Sequence, residues 1–218
     1  EKLKYRPFLV KEEKILMIAM ESEEQAAIIN AVKEIVNACT FDKFDVSSLP
    51  IFDVEFVFLN IRAKSVGEVS KIKLKCPDDE KTFVETEIDL TEVNVEMIDG
   101  HTNKIELTDE MGIIMKYPSI DTFSSSGVEA INATNMISII SDCILQIYDK
   151  KGEEIFEAKD STRKELSEFL EQLNSKQFVE VQNFFDTMPK LQHTVKVMNP
   201  KTKVESEVVL SGLNDFFA

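Results

Sequence analysis

The chain has 218 residues, 43% of them hydrophobic, and carries 25 Lys and Arg against 40 Asp and Glu, a net charge of −15. That much apolar material supports a real core, which excludes a disordered chain and a disulfide-stapled miniprotein. The charge leaves no basic field to attract a phosphate backbone, so nucleic acid is not an expected partner. Three cysteines without close spacing, Cys39, Cys76 and Cys143, read as reduced thiols and point to an intracellular folding compartment. No apolar run approaches the roughly 18 residues of a membrane span, and Glu1-Lys2-Leu3-Lys4 does not lead into a signal-peptide core. A chain soluble where it is made, with no membrane partner, is the expectation.

Residues 3–9 alternate as a short strand that Pro7 places at an edge. A helix pair follows, broken near Glu21-Ser22. The first helix mixes Ile15, Leu16, Ile18 and Ala19 with charges, and the second repeats Ala27, Ile28, Ala31, Val32, Ile35 and Val36 on one stripe. Asp53 can cap a third helix carrying Val54, Val57, Phe58 and Ile61; Phe56-Val57-Phe58-Leu59 alone could also be a strand, and length favours the helix. After Gly67 the period changes to two. Ile72 and Leu74 alternate with lysines, a turn falls at Pro77-Asp78-Asp79, and a second strand runs from Thr82 to Leu90. Strand-like pieces at 94–98, 104–107 and 113–115 are expected to join this hairpin in one small antiparallel sheet.

The small-polar stretch from Ser119 to Gly127 reads as a loop. A helix is expected to start near Asn132 or Thr134, the better reading of the Asn132-Ala133-Thr134 sequon, and to run through Cys143, Ile144 and Ile147. Thr162 and Glu165 have capping-box spacing at the head of a helix to Leu173, and another helix over 176–188 stops at Pro189. A second hairpin, 194–198 with 204–210, repeats the first, since Asn199-Pro200 stands where Cys76-Pro77 does. The fold class expected is α+β, with segments 1–67 (strand and helices), 68–118 (hairpin and small sheet), 119–190 (helices) and 191–218 (hairpin and aromatic tail). The hairpins are zinc-ribbon-like without the means to bind metal, because Asp79 replaces the second thiolate of a C-P-x-C knuckle and the second tip has none.

No nucleophile elbow, metalloprotease helix, phosphate-binding glycine loop or EF-hand loop occurs, and six glycines are few for building such loops. His101 and His193 are the only imidazoles, each in a polar or turn-like context, so no catalytic residue, cofactor or metal is expected. A small hydrolase using one of these histidines is the rival reading. The dispersed acidic pairs read as solvated faces. Phe216-Phe217 must dock, either on its own chain or in a partner groove.

Several segments together carry a resemblance: Tyr5-Arg6-Pro7-Phe8-Leu9-Val10-Lys11-Glu12-Glu13-Lys14, Leu49-Pro50-Ile51-Phe52-Asp53-Val54-Glu55-Phe56 with Arg62-Ala63-Lys64-Ser65-Val66-Gly67-Glu68, the Lys75-Cys76-Pro77 tip, and Leu213-Asn214-Asp215-Phe216-Phe217. The sequence resembles the baseplate hub subunit and hub assembly catalyst family of T-even-type contractile-tailed bacteriophages. The resemblance implies a late, non-enzymatic protein that builds the central tail hub by contacts with other hub or tape-measure proteins. It implies assembly in the host cytoplasm and a place in the virion baseplate. Self-association is left open. Two roles compete, a structural subunit and a transient chaperone that leaves before the virion matures. Partner contacts are expected at Arg6, Phe8, Arg62, Lys64, Phe216 and Phe217, which join family matches to residue types that anchor interfaces.

Overall fold

The structure is a computed structural model that describes residues 3–22, 24–125, 135–151 and 154–216. The expected helix start at Asn132 or Thr134, the Ser126-Gly127 end of the polar loop and Phe217 lie outside the described residues. In chain order the elements are α1 (Val10–Glu21), α2 (Gln25–Cys39), α3 (Ile51–Val66), β1 (Val69–Lys75), β2 (Phe83–Asp89), β3 (Asn94–Glu96), β4 (Lys104–Glu106), β5 (Met111–Met115), α4 (Ile120–Ser125), α5 (Met136–Cys143), β6 (Ile144–Asp149), β7 (Ile155–Glu157), α6 (Arg163–Glu171), α7 (Ser175–Thr187), β8 (Lys190–Met198), β9 (Glu205–Ser211) and α8 (Gly212–Asp215). The class is mixed α and β with antiparallel sheets. No helix among the described residues is long and apolar enough to cross a membrane. Two compact units are present, Glu1–Glu96 with Pro189–Ala218, and Met97–Met188.

The first unit is built on two hairpins. In β1 and β2 the alternation puts Ile72, Leu74 and Ile88 inside, while Lys71 and Lys73 outside face Glu87 and Glu85 across the ladder. The β8–β9 hairpin does the same with Val195, Val197 and Leu210, and β3 extends it to a three-stranded sheet in the order β3-β8-β9. Leu59 and Ala63 of α3 and the Phe216 ring complete this core. The two tips share a turn. The Glu80 N–H donates to the Cys76 carbonyl and the Lys203 N–H to the Asn199 carbonyl, each closing on a residue at positive φ. Asp78 then joins the tips, accepting from Asn199 Nδ2 at 2.9 Å and from the Thr202 hydroxyl at 2.5 Å.

Several expectations are corrected. Residues 3–9 form no strand among the described residues. They run along the helices, with the Arg6 N–H on the Cys39 carbonyl, so no ladder is available to them. Asp53 lies inside the first turn of α3, which Pro50 precedes, because proline's fixed φ suits that entry. The strand pieces do not join the first hairpin: β1 and β2 stand alone, β3 pairs with β8, and β4 and β5 belong to the second unit.

That second unit holds the sheet β4-β5-β6-β7. The expected long helix ends at Cys143, and Ile144-Leu145-Gln146-Ile147-Tyr148 continues as β6, because this β-branched and aromatic run finds a partner in β5. The expected loop after Ser119 contains α4, with Ile120 buried at its start. Thr162 and Glu165 do form the reciprocal cap, the Thr162 N–H reaching Glu165 Oε2 at 2.7 Å and the Glu165 N–H reaching the Thr162 hydroxyl at 3.2 Å. Leu166 and Leu170 of α6 and Val181 and Phe184 of α7 pack with Ile113, Met115 and Ile140 in the core. Gly112 is needed where it stands, since a Cβ there would lie 2.2 Å from the Tyr148 hydroxyl and 2.7 Å from the Ile105 carbonyl.

Candidate protein-binding site

Helix α1 carries apolar side chains on both of its faces. It buries Glu12, 2% exposed, and Ala19, while Val10 is 80%, Met17 and Ile18 are each 56% and Met20 is 44% exposed. Val10, Met17 and Ile18 stand at i, i+7 and i+8, so they share a face, and Leu9 and Met20 border it. An ordinary surface helix turns such residues inward. In α1 the inward face is made by Glu12, Ile15, Leu16 and Ala19, at i, i+3, i+4 and i+7, and the carboxylate in that row requires an internal partner for its charge.

Arg6 is that partner. Its Nη2 lies 2.8 Å from Glu12 Oε1, its backbone N–H donates to the Cys39 carbonyl at 2.9 Å, and its own side chain is 26% exposed. The other carboxylate oxygen of Glu12 accepts the Leu9 N–H at 2.7 Å, satisfying the free amide at the head of α1. The hydrogen bond from Arg6 holds the Glu12 carboxyl down to about 2. Phe8 fastens the same segment to α3, its ring stacked on the buried Phe58 with centroids 6.3 Å apart and its N–H on the Ser65 hydroxyl at 2.8 Å. Arg62 is half-buried on α3; burial lowers its pKa, and the Glu13 carboxylate of α1 opposes that. Lys64, exposed one turn before the end of α3, pairs with Glu68.

Arg6, Phe8 and Arg62 therefore meet around the base of α1, and the sequence singled out the fastening of the helix, not its presented face. The face itself was missed because Met17 and Met20 sit among charges with a weak helical period. The available signal was the Arg6-to-Glu12 spacing beside a helix start, which marks a charge that can be turned inward. Phe216 is elsewhere in the unit and wholly buried, leaving none of its ring on the surface. The α8 turn delivers it to the core. Gly212 at φ +72° allows the bend, the Leu213 N–H reaches Glu55 Oε1 at 3.3 Å, and the Ser70 hydroxyl donates to the Phe216 carbonyl at 3.1 Å. Burial pushes the Glu55 carboxyl up to about 7.

The histidines of the rival reading are also placed. His101, Tyr117 and Phe184 form a triangle of rings with centroids 5.3–5.6 Å apart, and His101 has Nδ1 2.9 Å from the Thr187 hydroxyl and Nε2 3.0 Å from the Tyr117 hydroxyl. Thr187 donates its own hydrogen to the Asn183 carbonyl, so it accepts from Nδ1–H, and in the neutral ring Nε2 accepts from Tyr117. His193 lies half-buried in β8 opposite Leu210. Cys39, Cys76 and Cys143 are free and buried, and burial pushes the Cys143 thiol up to about 12. Among the described residues no three His, Cys, Asp or Glu side chains converge as a metal-ligand set.

Comparison with known proteins gives one positive result, a family described as T4 bacteriophage base plate protein, whose sequence profile matches residues 1–218. No protein of curated function and no solved structure matches the chain. A match over that span establishes membership: the chain belongs to the T4 bacteriophage base plate protein family.

Proposed function

We propose that the protein is a non-enzymatic subunit of the central baseplate hub, assembled in the host cytoplasm and joined to other hub or tape-measure proteins through the outward face of α1. The observation that carries this reading is the outward side of α1, where Val10, Met17, Ile18 and Met20 stand in solvent although Ile15, Leu16 and Ala19 already supply the helix with an inward apolar side. Such a helix gains its missing burial only from a second surface, and about 25 cal/mol per Å² of covered apolar area drives that docking. Lys64 in the last turn of α3 and Glu68 just beyond it supply charged rim contacts, which tune approach more than affinity. The absence of chemistry is part of the proposal, supported by a His101 whose two ring nitrogens are both engaged in holding the fold. The paired hairpins belong to the same reading as a ribbon-like module whose tips are tied by the Asp78, Asn199 and Thr202 hydrogen bonds instead of a metal.

Mass spectrometry of purified virions beside lysate from a tail-assembly mutant tests the role. Presence in virions at a fixed ratio to hub proteins supports the subunit. Presence only in lysate, bound to a hub or tape-measure protein, replaces the subunit reading with that of a transient chaperone.

A further inference from the structure

The sheet of the second unit ends in a strand that is poorly defended. β7 closes the order β4-β5-β6-β7, pairs with β6 through Gln146↔Glu157, Ile147↔Phe156 and Tyr148↔Ile155, and has no strand on its other side among the described residues. Edge strands are usually protected by charge or proline at their outward positions. This one presents Ile155, 61% exposed, on one face and Phe156, 54% exposed, on the other. Phe156 also completes an apolar row. Ile105, Ile113, Ile147 and Phe156 stand opposite one another across all four strands, with Ile105 and Ile113 buried at one end and Phe156 in solvent at the other.

The charge around this edge selects an occupant. Residues 97–188 contain 17 Asp and Glu against 8 Lys and Arg. Glu154 and Glu157 bracket the exposed pair; of the nearby lysines, Lys150 and Lys151 are already bound to Glu106 and Glu110, and Lys159 is followed directly by Asp160. A second copy of β7 is a poor fit. Pairing two copies would bring together two units that each carry this same excess of Asp and Glu, and that repulsion opposes their approach.

We propose that the free edge of β7 is a strand-addition site for an extended segment of another chain in which apolar residues alternate with Lys or Arg. The added backbone takes up the unpaired edge groups, an apolar side chain covers Phe156, and the basic side chains, on the opposite face, meet Glu157. This surface is independent of α1.

The test uses the full-length ¹⁵N-labelled protein and two seven-residue probes, one alternating Val with Lys and the other Val with Glu. The Val/Lys peptide should shift amide resonances at 154–157 and on the paired β6 residues, and should bind at least fivefold more weakly at 300 mM than at 50 mM NaCl. Phe156→Lys, and Ile155→Lys as a second variant at an exposed position, should each weaken it at least tenfold with unchanged melting temperature, while α1 variants leave it intact. Equal binding of the Val/Glu peptide, shifts scattered over the acidic surface, or a concentration-dependent dimer abolished by Phe156→Lys would each overturn the proposal, the last by making a second copy the occupant.

Discussion

Removing the Arg6 guanidinium tests how a carboxylate is held on the inward side of α1. Solvent-exposed ion pairs contribute at most about 1 kcal/mol, and loss of one partner of a sealed pair costs about 3–5 kcal/mol. With Glu12 2% and Arg6 26% exposed, the pair falls between these limits, and after Arg6 is gone the Leu9 N–H still satisfies one carboxylate oxygen while the exposed Lys11 Nζ stays 3.4 Å from the other. Arg6→Ala should therefore cost about 2 kcal/mol, with a coupling of about the same size in the Arg6→Ala, Glu12→Gln double-mutant cycle. Acid titration adds an independent check. Glu12 moves from its ordinary 4.5 down to about 2 on folding, so its contribution is fully present above 4.5 and is lost as the pH falls from 4.5 towards 2. Glu12→Gln should flatten stability in that window. Urea unfolding followed by circular dichroism measures both quantities, and a coupling below about 0.3 kcal/mol, with an acid profile unaltered in Glu12→Gln, would refute the reasoning.

Three further outcomes follow from single contacts. Gly112→Ala should lower stability by about 2–3 kcal/mol, because one of the clashing atoms is the backbone carbonyl of Ile105, which cannot move aside as the Tyr148 hydroxyl can; a melting temperature equal to wild type would contradict this. Glu55 has its carboxyl raised to about 7 from 4.5, so its stabilising contribution relative to the charged form is present below 4.5 and lost as the pH rises through 7; Glu55→Gln should make unfolding less dependent on pH between 5 and 8, read by thermal melts. Burial lowers the His101 pKa below its ordinary 6.5, so its neutral ring stabilises the fold above 6.5 and that stability declines as the pH falls; nitrogen NMR should find the Nδ1–H tautomer at neutral pH, and an Nε2–H tautomer would break the assigned chain from Tyr117 to Asn183.

Period and caps made much of this fold legible. The lysine-alternating strand at 71–75, the Thr162–Glu165 box and the Pro189 stop all announce local structure through forces that act within a few residues. What stayed hidden depended on distant partners. Ile144 to Tyr148 has the apolar content to continue a helix and becomes a strand because β5 is there to pair with it. β3 lies nearly a hundred residues from the strand it joins. β7, three residues long, is below the length at which alternation can be read at all. The candidate site was half legible for the same reason: Arg6, Phe8 and Arg62 stand out by residue type, but the apolar residues of α1 fall on two faces, and which of them is covered follows from what the rest of the unit packs against it. The fate of Phe216 depended on a pocket shaped by α3 and both hairpins.

The most direct measurement of the central claim replaces two outward residues of α1, Met17→Lys with Ile18→Lys, and follows the protein into baseplates assembled during infection. Both side chains are more than half exposed, so circular dichroism and melting temperature should match wild type while the variant fails to sediment with baseplates and accumulates free. A folded variant that enters baseplates at the wild-type level would contradict the account, because the face that α1 turns outward would then carry no contact.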